Sequence, residues 1–310
     1  MLEEAGGVNA AHTGPHGNQE FRWITLGTMS GPLPSAVRHQ PANVLYDGAE
    51  AIVVDCGDGA VDQLCKAGIP LSAVRTVILS HLHIDHTAGL YGLLGRRLQA
   101  HIPGPLTIYG PRGTLRMVNA IRSSFDFVSG SMSQVPGFVK QFDADITAIE
   151  ITDGSRFTLG DIDVVTVTNT HYAFPDGSPE ALRYQSLSLR FDTPTRSIAY
   201  TGDTGPSVNV ERLADSADVL VSEITDPEEI VARISRTFGF PPTALAAIKR
   251  RFELEHLTAD EVGLLASRSG VKSIVITHNP LPPESTTKAR NAIGAHFDGP
   301  VTFADDLDTH

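Results

Sequence analysis

The sequence predicts an α/β fold in which two β-sheets are sandwiched between layers of helices. Short apolar strands alternate with helices along the chain. Hairpin signals interrupt that alternation at Asp47-Gly48, Asp153-Gly154, Gly160-Asp161 and around Pro194. The proline clusters Pro241-Pro242 and Pro280 to Pro283 break the chain only locally. A single domain over 21–310 is therefore expected, preceded by a loose tail over 1–20.

The first strand is read at 21–26, followed by a Gly/Pro loop over 27–34. Strands at 43–46 and 51–55 pair across Asp47-Gly48, and 60–67 is a helix. The run 74–79 is a buried strand, because its residues are β-branched and aliphatic. Helix over 88–98, strand over 106–109 and helix over 114–123 follow. Strands are expected at 146–151, 156–159, 162–168, 186–191, 197–201, 219–222 and 273–277. Helices are expected at 226–236, 243–251 and 258–269.

The chain has 310 residues, 41% hydrophobic and 19% charged, in the range of an ordinary globular protein. No apolar run approaches the ~20 residues that a membrane-spanning helix needs. The first twenty residues lack a basic start followed by an apolar core, so a cytoplasmic protein is expected, or a periplasmic one if a leader has been removed. Cys56 and Cys65 are nine residues apart and fit neither a disulfide framework nor a zinc knuckle. The formal net charge is −12, from 24 Lys+Arg against 36 Asp+Glu. The densest basic run is Lys249-Arg250-Arg251, which reads as a solvated helix face. This balance predicts that nucleic acid is disfavoured as a partner.

The strongest chemical signal is Ser80-His81-Leu82-His83-Ile84-Asp85-His86-Thr87-Ala88-Gly89, directly after an apolar strand. Imidazole nitrogens and carboxylate oxygens are ligands for divalent zinc, iron or manganese. In an irregular turn, His81 and His83 can bind one ion while Asp85 and His86 reach a second. Four such groups buried without a metal would be costly. His171, Asp203 and His278 each have a bland reading alone, as loop, turn and strand-end residues.

The HxHxDH run after a strand resembles the signature of the metallo-β-lactamase superfamily, and further motifs occur in that family's order. Asp55 in Val53-Val54-Asp55-Cys56-Gly57-Asp58-Gly59 resembles its early strand-end aspartate, which braces the metal loop by hydrogen bonds. His171 in Thr170-His171-Tyr172 resembles its third-motif histidine, and Asp203 in Thr201-Gly202-Asp203-Thr204 its metal-bridging carboxylate. His278 in Thr277-His278-Asn279 resembles its last ligand. The resemblance implies a four-layer αββα sandwich and two divalent ions, zinc before manganese or iron. It implies His81, His83, Asp85, His86, His171, Asp203 and His278 as their ligands.

Within the superfamily the chain is similar to the ribonuclease Z and arylsulfatase-like branch. The segments carrying this are Leu26-Gly27-Thr28, Asp55-Cys56-Gly57-Asp58-Gly59 and Leu106-Thr107-Ile108-Tyr109-Gly110-Pro111. Glu223 in Ser222-Glu223-Ile224-Thr225 and His256 in His256-Leu257-Thr258-Ala259 match that branch's proton-handling pair. By that resemblance His256 is a general acid and Glu223 its orienter, while His256 alone also reads as a residue beside a helix N-cap. Relatives of this kind are often dimers, which raises a homodimer here.

Position 84 is Ile where tRNA-processing members carry a small residue, and 129–146 holds one basic residue, Lys140. The reading preferred at this level is a hydrolase that turns a metal-activated hydroxide on a small organic ester, lactone, or sulfate or phosphate ester. A tRNA 3′ endonuclease is its alternative, and a non-hydrolytic metal-binding or sensory protein a third. Tyr172 and Phe174 are candidate pocket walls. The stretch 226–255, with Phe238, Phe240 and Phe252, reads equally as a helix packed on the body or a lid insertion over an apolar substrate.

Overall fold

The computed structural model of the chain describes residues 21–131, 138–175 and 177–310. The expected tail over 1–20 lies outside the described residues, as does 132–137 in the stretch with the single lysine.

Strands β1 (Arg22–Gly27), β2 (Ala42–Tyr46), β3 (Ala51–Cys56), β4 (Val74–Ile78), β5 (Leu106–Gly110) and β6 (Ile146–Glu150) form one sheet in chain order. β1, β2 and β3 pair antiparallel. The β2–β3 turn is closed by Asp47, whose Oδ1 accepts from the backbone N–H of Ala49 and Glu50, both at 2.7 Å. From β3 to β6 the pairing is parallel. Each parallel step needs a crossover. These are α1 (Ala60–Lys66), α2 (Ile84–Gln99), and α3 (Thr114–Ser129) with α4 (Phe138–Asp145).

The second sheet runs β7 (Arg156–Leu159), β8 (Ile162–Thr168), β9 (Leu187–Asp192), β10 (Ser197–Tyr200), β11 (Val219–Ser222), β12 (Ile274–Ile276) and β13 (Val301–Phe303). It is antiparallel up to β10 and parallel from there to β13. Helix α5 (Pro179–Arg183) joins β8 to β9, and α6 (Val208–Leu213) joins β10 to β11. Helices α7 (Pro227–Phe238), α8 (Pro242–Glu255) and α9 (Ala259–Ser269) lie between β11 and β12, and α10 (Thr286–Gly294) between β12 and β13.

Three apolar clusters define four layers. Trp23, Ile52, Val54 and Ile78 of the first sheet meet Leu189, Phe191, Tyr200 and Val221 of the second. Leu64, Leu90, Leu93, Leu94 and Val118 seat α1 to α3 on the outer face of the first sheet. Val210, Val262, Leu265 and Ile293 seat α6, α9 and α10 on the outer face of the second. This is the expected αββα sandwich.

Local chemistry sets the helix ends. Asp226 caps α7, accepting from Glu228 and Glu229 N–H ahead of Pro227, and Gly239 ends it at φ 64°. Thr258 and Glu261 form a reciprocal capping box on α9. Among the described residues no helix is long and apolar enough to cross a membrane.

The expected helix over 88–98 begins earlier, at Ile84, with His83 in extended backbone just before it. Asp85 and His86 therefore project from a helical first turn and not from an irregular loop. A carboxylate there also suits the positive end of the helix dipole. Helices α4, α5, α6 and α10 and strand β13 were not expected. Most are too short for a periodic apolar pattern, and α10 buries only Ala289 and Ile293.

Candidate metal centre

The site lies where strands of both sheets end. Asp55 ends β3, the 80–86 segment follows β4, Asp203 follows β10, Glu223 follows β11 and His278 follows β12. In sheets with parallel strands, ligands collect beyond the carboxyl ends of those strands. The backbone bends sharply there: Asp55 and His278 hold φ of 56° and 42°. Left-handed backbone at non-glycine residues is costly and recurs at functional sites. The Ser80 carbonyl accepts from Leu187 N–H at 2.9 Å and ties the two sheets together at this edge.

One group converges from His81, His83 and His171. His81 Nε2 lies 3.1 Å from His83 Nδ1, and His171 Nε2 lies 3.0 Å from the same atom. A second group joins Asp85, His86, Asp203 and His278. His86 Nε2 is 3.3 Å from Asp203 Oδ1, and His278 Nε2 is 3.3 Å from Asp203 Oδ2. Asp85 Oδ2 lies 3.6 Å from both imidazoles. Asp203 stands between the groups, with Oδ2 at 3.9 Å from His81 Nε2 and 3.8 Å from His171 Nε2. Within each group the ligand atoms lie within 4.8 Å of one another.

The far nitrogens fix the tautomers. His86 Nδ1 is 2.8 Å from Asp55 Oδ2. Asp55 also accepts from Ser80 N–H at 2.7 Å, Ser80 Oγ at 2.8 Å and the Tyr200 hydroxyl at 2.7 Å. Ser80 Oγ spends its proton on Asp55, so it accepts from His81 Nδ1 at 3.0 Å. His171 Nδ1 donates to the Glu255 carbonyl at 3.1 Å. Each bond leaves Nε2 of its ring bare toward the centre. Gly31 N–H donates to Asp85 Oδ2 at 3.1 Å, and a side chain at Gly31 would collide with that carboxylate.

The donor set fits divalent ions. Asp203 Oδ1, His86 Nε2 and His278 Nε2 are buried without a hydrogen-bond partner. Buried polar atoms are seldom left so unless something else satisfies them. Burial, with His86 and His171 nearby, holds His81 well below the usual histidine range. Burial likewise pushes His171 down to about 3. Neutral imidazoles are the ligating form.

Glu223 and His256 form a pair beside these groups. His256 Nδ1 lies 2.7 Å from Glu223 Oε2, while Thr204 N–H donates to Glu223 Oε1 at 2.6 Å. Burial opposes a charge on His256, but the Glu223 carboxylate outweighs it and raises the imidazole to about 9. Phe252 stacks on His256 with centroids 5.1 Å apart.

A cavity of about 710 Å³ opens onto the centre. Ile234, Ile248 and Phe252 of the α7–α8 hairpin line it together with Arg251 and His256. Tyr172 and Phe174, the candidate walls, are outside that lining: Tyr172 packs edge-on against His81 and His83, and Phe174 lies beyond it. Of the three hairpin aromatics only Phe252 reaches the cavity, since Phe238 and Phe240 are half exposed beside each other at the hairpin turn. For Ser80, Tyr200, Thr204 and the Glu255 carbonyl no supporting role is legible in the sequence.

A family profile described as a beta-lactamase superfamily domain matches residues 50–279. Ribonuclease Z of Mycobacterium bovis (strain BCG / Pasteur 1173P2) is 28% identical over 292 residues, 92% of this chain and 96% of the relative. Ribonuclease Z of Mycobacterium sp. (strain KMS) is 28% identical over 293 residues, covering 92% and 94%. Among solved structures, the metallo-beta-lactamase fold protein YhfI from Bacillus subtilis superposes with a TM-score of 0.68 at 18% identity, covering 94% of this chain and 99% of its own. The short form of human tRNase Z gives a TM-score of 0.63 at 22% identity, covering 93% and 98%. Those two likenesses concern the fold.

The relatives correct one expectation. A small-molecule partner with nucleic acid disfavoured does not stand beside relatives named ribonuclease Z that match from end to end. The net charge misled because it sums the whole surface, whereas phosphate is met by local groups, bound cations included. The fold family implies divalent metal at the centre described above. The chain belongs to the metallo-β-lactamase superfamily of hydrolases, and relatives named ribonuclease Z resemble it over nearly its whole length.

Proposed function

We propose that the chain is a tRNA 3′ endonuclease that hydrolyses the phosphodiester joining a tRNA body to its 3′ extension. The observation that carries this reading is the end-to-end similarity to ribonuclease Z in a chain that also sets a His–Glu pair beside two convergent ligand groups.

His81, His83 and His171 would hold one ion, and Asp85, His86 and His278 a second, with Asp203 shared. Nitrogen and carboxylate ligands of this kind favour zinc. Two such ions supply Lewis acidity and lower the pKa of a water to about 7. The remaining work falls to the chain's own groups. His256 keeps its proton because Glu223 faces its Nδ1. Its other ring nitrogen is then the donor to the departing oxygen as the P–O bond breaks. Glu223 is anchored by Thr204 N–H, one residue from Asp203, so proton donor and ligand share a rigid loop. Phe252 fixes the plane of the His256 ring. The α7–α8 hairpin, within the 226–255 segment that reads equally as packed helix or lid, lines the cavity and would keep water from the reacting phosphate.

The test is cleavage of a tRNA precursor transcript by metal-replete protein, run beside a carboxylic ester, a lactone, a phosphodiester and a sulfate ester. Chelator-sensitive cutting at one position beyond the acceptor stem is expected, with about two metals per chain by elemental analysis. Turnover of the ester or lactone with the precursor left intact would overturn the reading.

A further inference from the structure

A row of aromatic rings leads away from the metal centre on a path outside the cavity. The Tyr172 ring meets that of His83 with centroids 5.2 Å apart. Phe174 follows at 6.0 Å from Tyr172, and Tyr184 at 6.1 Å from Phe174. The Arg183 guanidinium lies over the Tyr184 ring, 5.2 Å from its centroid. The outer rings face solvent, with Phe174 37% and Tyr184 48% exposed.

Packing holds Tyr172 but does not account for the outer rings. Helix α5, which carries Arg183 and ends at Tyr184, buries none of its residues. It is nevertheless built with care: Ser178 caps it by accepting from Ala181 N–H, and Pro179 stiffens its first turn. Ala173 sits at φ 46°, so the chain turns sharply between the Tyr172 and Phe174 rings. A strained residue and a capped surface helix that hold exposed rings in succession from His83 call for a ligand outside the protein.

Resting on the endonuclease reading above, we infer that Tyr172, Phe174 and Tyr184 form a stacking track for the unpaired RNA strand that leads away from the scissile phosphate, with Arg183 at its far end. Unpaired bases are recognised by stacking on aromatic side chains, whatever their sequence. The tilted Tyr172, Phe174 and Tyr184 rings, about 6 Å apart, place aromatic surface along one path, with Phe174 and Tyr184 open to solvent. A guanidinium that stacks on Tyr184 keeps its edge free for a phosphate oxygen. The track therefore engages the single-stranded extension of a precursor, a part of the substrate that the cavity does not reach.

The experiment uses full-length, metal-replete protein and precursors carrying one, two, three or five unpaired 3′ nucleotides. KM is measured for wild type, Tyr184→Ala, the Phe174→Ala/Tyr184→Ala double variant and Tyr184→Trp. In wild type, KM should fall about tenfold as the strand lengthens from one to three nucleotides, the order of one base–aromatic stack. That gain should vanish in the double variant and return in Tyr184→Trp, whose indole emission should be quenched by a non-cleavable extension. A wild-type series that is flat, or whose slope the double variant keeps, overturns the track and leaves the endonuclease reading standing. Failure of wild type to cut any precursor overturns that reading, and the occupant of the track with it.

Discussion

Asp55 Oδ2 and His86 Nδ1 lie 2.8 Å apart, both fully inside the protein. This bond chooses the tautomer: with the proton on Nδ1, Nε2 is bare and turned toward Asp85 and Asp203. The carboxylate also gathers Ser80 and Tyr200, so one side chain aligns a candidate ligand at each end of the 81–86 segment.

Asp55→Asn retains the shape but turns one acceptor into a donor against His86. Metal affinity should fall about 10- to 100-fold, the usual effect of losing a partner behind a ligating histidine. Competition with a chromogenic chelator measures this. Unchanged affinity would mean that His86 is oriented by packing alone. Asp55→Ala is the harsher variant, since it strands the donors of Ser80 and Tyr200 at about 1–3 kcal/mol each.

His256→Ala should leave two metals bound and lower kcat by about 10²- to 10⁴-fold, the range for a lost general acid. Glu223 acts through His256, so Glu223→Gln should also lower kcat. The double variant should be little worse than His256→Ala, because groups acting as a unit are not additive. Rate losses that multiply in the double variant would separate the two roles.

Metal binding should stabilise the fold. Asp203 Oδ1, His86 Nε2 and His278 Nε2 are buried and unpartnered within the protein, so an ion there satisfies them. At a hundredfold excess over Kd the gain is about 2.7 kcal/mol. For a chain of this size that is a rise in Tm of roughly 4 °C. Calorimetry of chelated and zinc-loaded protein checks it. Asp203→Ala should lose the metal-dependent rise, and a variant that keeps it would remove Asp203 from the ligand set.

The sequence exposes this site unevenly, for physical reasons. Residues 81–86 sit in one short run, and His171, Asp203 and His278, bland alone, stand out by their order along the chain after that run. Their supports are long-range: Tyr200 reaches Asp55 across 145 positions, and His171 meets the Glu255 carbonyl across 84. A backbone carbonyl has no letter in a sequence. Similarly, helices over 226–236 and 243–251 are expected from the sequence, yet nothing in their pattern says that Phe252 turns to His256 while Phe238 faces solvent. The substrate was misjudged by summing charge where only local charge counts.

Away from the centre, Asp218 provides a pH-dependent contribution to stability. It accepts from Lys272 Nζ at 2.6 Å and from Ser197 N–H at 2.7 Å. The Lys272 bond first, then Ser197, bring the carboxyl from 3.8 down to about 2. A carboxyl depressed by folding stabilises the protein above its unfolded pKa, and the benefit fades as pH falls from about 4 toward 2. Because the pair is partly exposed, the contribution should be below about 1 kcal/mol. Urea unfolding of wild type and Asp218→Asn, from pH 6 to pH 3, isolates it, since the histidine-rich centre titrates alike in both. The stability gap should be constant from pH 6 to 5 and narrow below about pH 4. A gap that stays constant to pH 3 would assign the Asp218 contribution to its hydrogen-bond geometry and not to its charge.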